Sequence, residues 1–453
     1  MDKNKTVHLF GAIIAAGILA FSGVLIETAM NVTFPLLIEE FRVTTSGIQW
    51  VTTIYLLMIS VIVPISSYLN QNFSARNLFI TANLFFLLGV LINCFSATFS
   101  LLLLGRLLQG VGTGIGLPLM FHIILTKAPA EKRGMMMGIG TLTTSIAPAI
   151  GPTYGGLISN LLDWRYIYIF LIPLMILSLA LGLYSIPNEV TKEKQHLHFR
   201  CVFFLAITFT SFIMALSAGS GIAFVLFLVI GFGSALLFLL SNRKTPLLQI
   251  SVLKNSRFSA FLFSLRIYQA LLLGLSFVLP NYLQISAGFS SSAAGAFMFP
   301  GALMGALLAP LSGRLLDRIG ASKPILTGLF TTMVGIAMLI ALLHTNSLVL
   351  LIGAHLILMT GLGLSYSNLM TCSLSALPSS QISDGNAFVN TFQQFIGAVA
   401  TALVAAIFSF FQNKYGFISG TASGAWIVLL IFSLLLVTST IVAFSALKKK
   451  NYV

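Results

Sequence analysis

The chain has 453 residues, of which 57% are hydrophobic and only 8% charged. A soluble domain carries about 25% charged residues, so a water-soluble enzyme or binding module is excluded. The formal net charge of +14 invites a nucleic-acid partner, but the positions of the basic residues assign it to a membrane surface instead.

Apolar residues gather in fourteen runs, roughly 9–38, 46–67, 77–96, 100–126, 134–160, 165–185, 201–219, 221–241, 257–285, 291–313, 323–343, 346–370, 385–411 and 424–446. A bilayer-spanning helix needs about 20 apolar residues. The runs are longer and more uniformly apolar than the alternating strands of a barrel. The expected fold class is an all-α polytopic membrane protein with 14 transmembrane helices. The first run lacks an A-x-A cleavage site and exceeds a signal peptide's apolar core, so it is expected to stay as the first helix.

An even number of helices puts both termini on one side. With the termini in the cytoplasm, Lys3, Lys5, Arg76, Lys127, Lys132, Arg133, Lys192, Lys194, Arg200, Arg243, Lys244, Lys254, Arg257, Arg314, Arg318, Lys323 and Lys448 to Lys450 all lie inside. Outside are Arg42, Arg165 and Lys414, and within helices Arg106 and Arg266. That bias matches the positive-inside rule. It also turns the net charge into a basic fringe facing anionic lipid, with no nucleic acid required.

The longest cytoplasmic connections, 187–200 and 241–257, flank helices seven and eight. Setting that pair aside leaves two groups of six. The expected organisation is an N-terminal six-helix bundle (1–187), an inserted two-helix hairpin (188–245) and a C-terminal six-helix bundle (246–453). Such internal symmetry is typical of secondary transporters. The loops leave no room for a catalytic domain, and no G-x-x-x-x-G-K-[ST] run is present, so neither an enzyme nor an ATP-driven pump is expected. The glycines of 110–116 lack dinucleotide-motif spacing and sit in an apolar run, where small residues serve helix packing. Cys94, Cys201 and Cys372 suggest neither disulfides nor a zinc site. No cofactor or metal is expected.

Of the ten acidic residues, only Glu27 lies well inside an apolar run. An ionisable group there marks a functional site by default. Arg106 is an intramembrane cation near the outer start of helix four, with Gln109 one turn on along the same face. Glu27 and Arg106 are expected at similar depth, as a proton-coupling pair or as a static ion pair. Burial and a neighbouring arginine act on a carboxyl in opposite senses, which suits a group that gains and loses a proton in each cycle. Helix five carries Gly151-Pro152-Thr153-Tyr154-Gly155-Gly156, where missing backbone donors and side-chain bulk favour a bend and close approach of a neighbour. The connection after helix ten, Gly313-Arg314-Leu315-Leu316-Asp317-Arg318-Ile319-Gly320, offers either a charge latch or a solvated turn.

Together these stretches resemble the major facilitator superfamily, specifically its fourteen-helix drug:proton antiporter group, over essentially the whole chain. Arg106-x-x-Gln109-Gly110 is similar to that group's helix-four motif. Gly151-Pro152-x-x-Gly155-Gly156 is similar to its helix-five motif, associated with exporters. Gly313-x-x-x-Asp317-Arg318-x-Gly320 resembles the superfamily's loop motif in its second-half position. Asp163-Trp164-Arg165 is similar to the start of helix six in the group. The first-half loop, 67–76, lacks the usual glycine and acid. The helix-one acid is displaced by one residue, with Ile26 in the usual place, which turns the carboxyl by about 100°. No second carboxylate is found in the membrane, so Glu27 has one proton to offer.

The resemblance implies proton coupling at Glu27 and Arg106, and conformational roles for Gly151, Pro152, Gly155, Gly156, Gly313, Asp317 and Arg318. Candidate cavity-lining residues are Asn31, Thr53, Tyr55, Gln109, Arg266, Tyr268, Gln269, Asn368, Asn390, Gln393 and Gln394, with an interhelical hydrogen bond as the plainer alternative for each amide. Arg266 points either into the cavity or along the helix to the surface. His122 and His355 are expected to be packing residues. The expected function is proton-coupled export of drugs or other amphipathic, cationic compounds by alternating access. The alternatives are export of an endogenous metabolite or lipid, and a non-transporting receptor or scaffold. The expected partners are protons, amphipathic small molecules and membrane lipids, the chain acting as a monomer in a bacterial cytoplasmic membrane with both termini inside.

Overall fold

The computed structural model describes residues 3–187, 199–243, 246–345, 347–378 and 381–448. Lys192, Lys194, Lys244, Lys449 and Lys450 lie outside the described residues. The long helices are α1 (Lys3–Val32), α2 (Trp50–Ile62), α3 (Ala75–Cys94), α4 (Phe99–Lys127), α5 (Ala130–Leu161), α6 (Leu171–Ser185), α7 (Phe199–Ala218), α8 (Gly221–Asn242), α9 (Ser256–Asn281), α10 (Ser291–Ile319), α11 (Ser322–Leu342), α12 (Leu348–Ser375), α13 (Ile382–Tyr415) and α14 (Phe417–Lys448). No strand occurs among the described residues. Thirteen of these helices, α2 and α6 taken together with the short turns that precede or follow them (Thr45–Ile65 and Tyr166–Ser185), are long and apolar enough to cross a bilayer. The one outside that set is α5, at 32 residues the counterpart of the fifth expected run.

Polar residues at the run boundaries start the helices. Ser74, Thr98, Asn255 and Ser290 accept hydrogen bonds from the first turns of α3, α4, α9 and α10, satisfying donors that the helix itself leaves free. Gly320 ends α10 at φ 78°, its N–H bonded to the carbonyl of Leu316, a conformation that suits a residue without Cβ.

Two close crossings position the site. Gly151 and Gly155 on α5 pack on α1: a Cβ at Gly151 would meet Thr28 Oγ1 at 2.0 Å, and one at Gly155 the carbonyl oxygen of Ala29 at 2.3 Å. The neighbouring turn of α5 packs on α10. There a Cβ at Gly156 would come within 2.3 Å of the Ser291 carbonyl, and Thr153 donates to the Gly295 carbonyl at 3.1 Å. The motif is thus a two-sided clamp, one face holding the Glu27 turn and the other the second half of the chain.

The hydrogen bonds joining residues before 188 to those after 245 gather at the Leu161 end of α5. They are Thr45 to Gln412 (2.7 Å), Thr53 to Thr401 (3.4 Å), Asn31 to Ser276 (2.9 Å), Gln284 to the Val32 carbonyl (2.8 Å), and Ser291 and Ser292 to the Gly156 carbonyl (3.3 and 3.2 Å), beside the Thr153 bond. At the same end Arg165 bonds Glu40 at 2.7 Å and the Ser96 carbonyl at 2.7 Å, while Trp164 Nε1 donates to Glu40 at 2.6 Å. The Asp163-Trp164-Arg165 stretch therefore ties together the loops after α1, α3 and α5. At the opposite end Asp317 and Arg318 are exposed and form no ion pair among the described residues, and the space beside Gly313 is open.

In the hairpin, α7 packs against α13 and α2. Phe209 stacks on Phe395 with ring centroids 4.0 Å apart, and Gln49 donates to Ser217 at 3.3 Å. α8 presents most of its apolar surface outward.

Candidate functional site

Glu27 is buried, 6% exposed, one turn before the α1–α2–α9 junction. At that junction Asn31 donates to Ser276 at 2.9 Å and accepts from Thr52 at 2.7 Å. Arg106, fully buried on α4, donates through Nε to the Val51 carbonyl at 2.8 Å and through Nη1 to Gln109 Oε1 at 3.0 Å. Its guanidinium lies 4.3 Å over the ring of Tyr55. The Tyr55 hydroxyl donates toward the Gly23 carbonyl (2.8 Å) and Thr113 Oγ1 (2.9 Å), one turn below Glu27.

Among the described residues the ion pairs are those of Arg165. Glu27 and Arg106 therefore do not touch as an ion pair. Tyr55 links them: its ring lies under the Arg106 guanidinium and its hydroxyl bonds the Gly23 carbonyl, one turn before Glu27. Arg106 is held by groups that persist whether Glu27 carries a proton or not, namely a carbonyl, an amide and an aromatic face. A carboxyl so placed can exchange its proton without dismantling the arginine's anchorage.

Beyond Arg106 lies a buried polar cluster of its Nη2, Gln109 Nε2, the Asn93 amide and the Tyr168 hydroxyl, with Tyr168 within polar reach of Asn93 and Arg106. Thr113, Asn93 and Tyr168 escaped the sequence reading. Each is an ordinary residue in its run, and only the packing of α3, α4 and α6 brings them to Arg106.

The candidate lining residues divide into two groups. Asn31, Tyr55, Gln109, Tyr268 and Asn368 are fully or almost fully buried and hydrogen-bonded. Tyr268 bonds Thr332 (3.2 Å) and Ser365 (2.8 Å), and Asn368 bonds Ser312 at 2.6 Å, so both act as interhelical clamps here. Thr53 bonds Gln49 and Thr401. Arg266, Asn390, Gln393 and Gln394 are only partly buried. Gln269 is 6% exposed and accepts a bond from Tyr366 at 3.3 Å. His355 stacks on Phe297 at 5.1 Å between ring centroids, with both ring nitrogens unpartnered. No group of three or more metal-ligating side chains occurs among the described residues.

Residues 16–402 match the Major Facilitator Superfamily model. The chain belongs to the Major Facilitator Superfamily. It is 35% identical over 421 residues to "Lincomycin resistance protein LmrB" of Listeria monocytogenes, covering 91% of this chain and 89% of the relative. It is 31% identical over 423 residues to the LmrB of Bacillus subtilis, covering 91% and 88%. It is 23% identical over 414 residues to "Multidrug resistance protein B homolog" of Mycobacterium tuberculosis, covering 89% and 76%. Among solved structures, a bacterial homologue of the human lysosomal transporter Spinster, in an inward-facing and unoccupied conformation, superposes with TM-score 0.72 at 16% identity, covering 100% of both chains. A peptide transporter superposes with TM-score 0.69 at 13% identity, covering 96% and 95%. Those two likenesses carry the fold alone. Membership of this superfamily makes the chain a multi-pass membrane transporter rather than an enzyme.

Proposed function

We propose that the chain is a proton-coupled exporter of drugs or other amphipathic compounds, cationic ones included, in a bacterial cytoplasmic membrane. Fourteen helices span, as two six-helix bundles and the α7–α8 hairpin, with both termini cytoplasmic and the chain acting as a monomer. The observation that carries this reading is Glu27, the buried acid of the first helix. It sits one turn from the α1 carbonyl bonded by Tyr55, whose ring carries Arg106, and on the turn of α1 that the α5 glycines grip. The relatives named for lincomycin and multidrug resistance support the substrate class.

In this orientation the Leu161 end of α5 faces outward. The bonds gathered there close the outer side, and Asp317 and Arg318, without an ion pair among the described residues, lie at the cytoplasmic side, as an inward-facing state requires. Export then proceeds in one cycle. Substrate enters from the cytoplasm, the α5–α10 and α2–α13 contacts separate, and substrate leaves. A proton from outside reaches Glu27 and is released inside after the return. Glu27 is held by the same turn that the α5 clamp packs on, so its protonation can bias whether the clamp stays closed. One carboxyl gives one proton per cycle, so exchange for a monovalent cation is electroneutral.

The test is transport by purified protein in liposomes, following internal pH on addition of ethidium under an inward and then an outward proton gradient. Proton movement tied to ethidium movement, lost in Glu27→Gln, is the expected result. Ethidium efflux that ignores the proton gradient would overturn the coupling.

A further inference from the structure

Arg266 stands on α9 about 15 Å from its Ser256 end, at 1.5 Å per residue. Its Nε and Nη2 are buried with no hydrogen-bond partner, and among the described residues it forms no ion pair. The acids on elements packed against α9 are Glu27 on α1, Asp317 at the end of α10 and Asp384 at the start of α13. Among the described residues none of them pairs with Arg266. Buried guanidinium N–H donors left without a partner are costly. They persist where a ligand completes them.

Helix register shows what surrounds it. Leu273 of α9 fills the hollow over Gly397 of α13, where a Cβ would lie 2.2 Å from Leu273 Cδ1. The two helices run in the same direction, and seven residues return a helix to nearly the same face. Two turns back from this contact, Arg266 and Asn390 occupy matching positions. One turn back, Gln269 and Gln393 do so. Gln269 spends its oxygen on the Tyr366 hydroxyl, which leaves its amide hydrogens without a partner among the described residues. Gln393 is only partly buried and makes no hydrogen bond among them. The level therefore holds one fixed cation and surplus N–H donors, with no carboxylate.

We propose that Arg266, Gln269 and Gln393 form a binding site for an anionic group, the carboxylate or similar oxyanion of an amphipathic solute. A guanidinium offers a planar fork that pairs two carboxylate oxygens at once, and the surrounding amides supply further donors. The exporter's clientele then extends to acidic and zwitterionic amphiphiles, held by their negative end in the second half of the chain, away from Glu27. This rests on the transporter reading for its meaning, but binding at equilibrium in detergent needs no proton gradient. Failure of export in Glu27→Gln leaves it untouched.

Isothermal titration of the full-length protein with sodium 1-naphthylacetate and with the neutral 1-naphthylacetamide, in chloride-free buffer, tests it. The acid is expected to bind at least about tenfold more tightly than the amide. That preference should vanish in Arg266→Gln, survive in Arg266→Lys and weaken in Gln269→Leu. Sodium chloride that binds, displaces naphthylacetate and loses its effect in Arg266→Gln would uphold the anion site and assign it to an inorganic ion. Equal binding of acid and amide by the unmodified protein would overturn the proposal, as would a preference unchanged in a folded Arg266→Gln.

Discussion

Tyr55 is the residue through which the two charges of the first half meet. Its ring supports Arg106 and its hydroxyl bonds α1 and α4. Tyr55→Phe keeps the ring and removes both bonds, so it should lower the stability of the solubilised protein by about 1 kcal/mol while leaving Arg106 seated. A thermal melt in detergent measures this, and no change would mean the hydroxyl bonds carry nothing. Arg106→Ala strips Gln109 and Tyr55 of their partner and leaves Glu27 without its charged neighbour. It should retain ethidium binding and lose proton coupling, read as equilibrium binding against gradient-driven efflux. Coupling at the unmodified level in that variant would discount the pair. Glu27 and Arg106 were legible in the sequence because an ionisable residue in an apolar run is conspicuous on its own. Thr113, Asn93 and Tyr168 were not, and Tyr55 was read only as a cavity-lining candidate, since a polar residue in a membrane helix acquires meaning only from what another helix brings to it. The candidate amides show the same limit: Asn31 and Asn368 are absorbed in helix–helix bonds, whereas Gln393 is left open, and nothing in their own helices separates them.

At the scale of the helix, α5 carries the consequence. Its glycines were readable as a site of close approach, but not which neighbour each would meet. Gly151 and Gly155 meet α1, and Gly156 meets α10. Gly156→Val forces a branched side chain against the Ser291 backbone, so it should loosen closure at the Leu161 end. Spin labels at Leu161 and Ser290, both exposed, should report longer distances in Gly156→Val than in the parent. An unchanged distribution would remove Gly156 from the clamp. Gly155→Val instead presses on Ala29, and is expected to impair coupling at Glu27 more than it opens the α5–α10 contact. The loop after α10 was read as a latch or a turn. Its exposed Asp317 and Arg318 have no partner among the described residues, so a latch there would close only in the opposite state.

For the whole molecule, composition made the helical membrane fold plain, and the length of the apolar runs was enough to place the long helices. The relation between the two groups of helices was hidden, because it depends on contacts hundreds of residues apart, such as Thr45 with Gln412. So was the seat of the hairpin, fixed by Phe209 against Phe395. Phe209→Ala should lower the melting temperature in detergent yet leave proton coupling intact; loss of coupling would give the hairpin a part in the cycle. The proposed orientation predicts that a cysteine replacing Ser220 reacts with a membrane-impermeant maleimide added outside intact cells, while one replacing Phe73 does not. The reverse pattern would invert the topology. The central claim is that one buried carboxyl couples proton entry to substrate exit, and gradient-driven ethidium transport by Glu27→Gln in liposomes tests it most directly. The account predicts a folded, ethidium-binding variant whose gradient-driven transport falls to the level of protein-free liposomes; transport at the unmodified rate would contradict it.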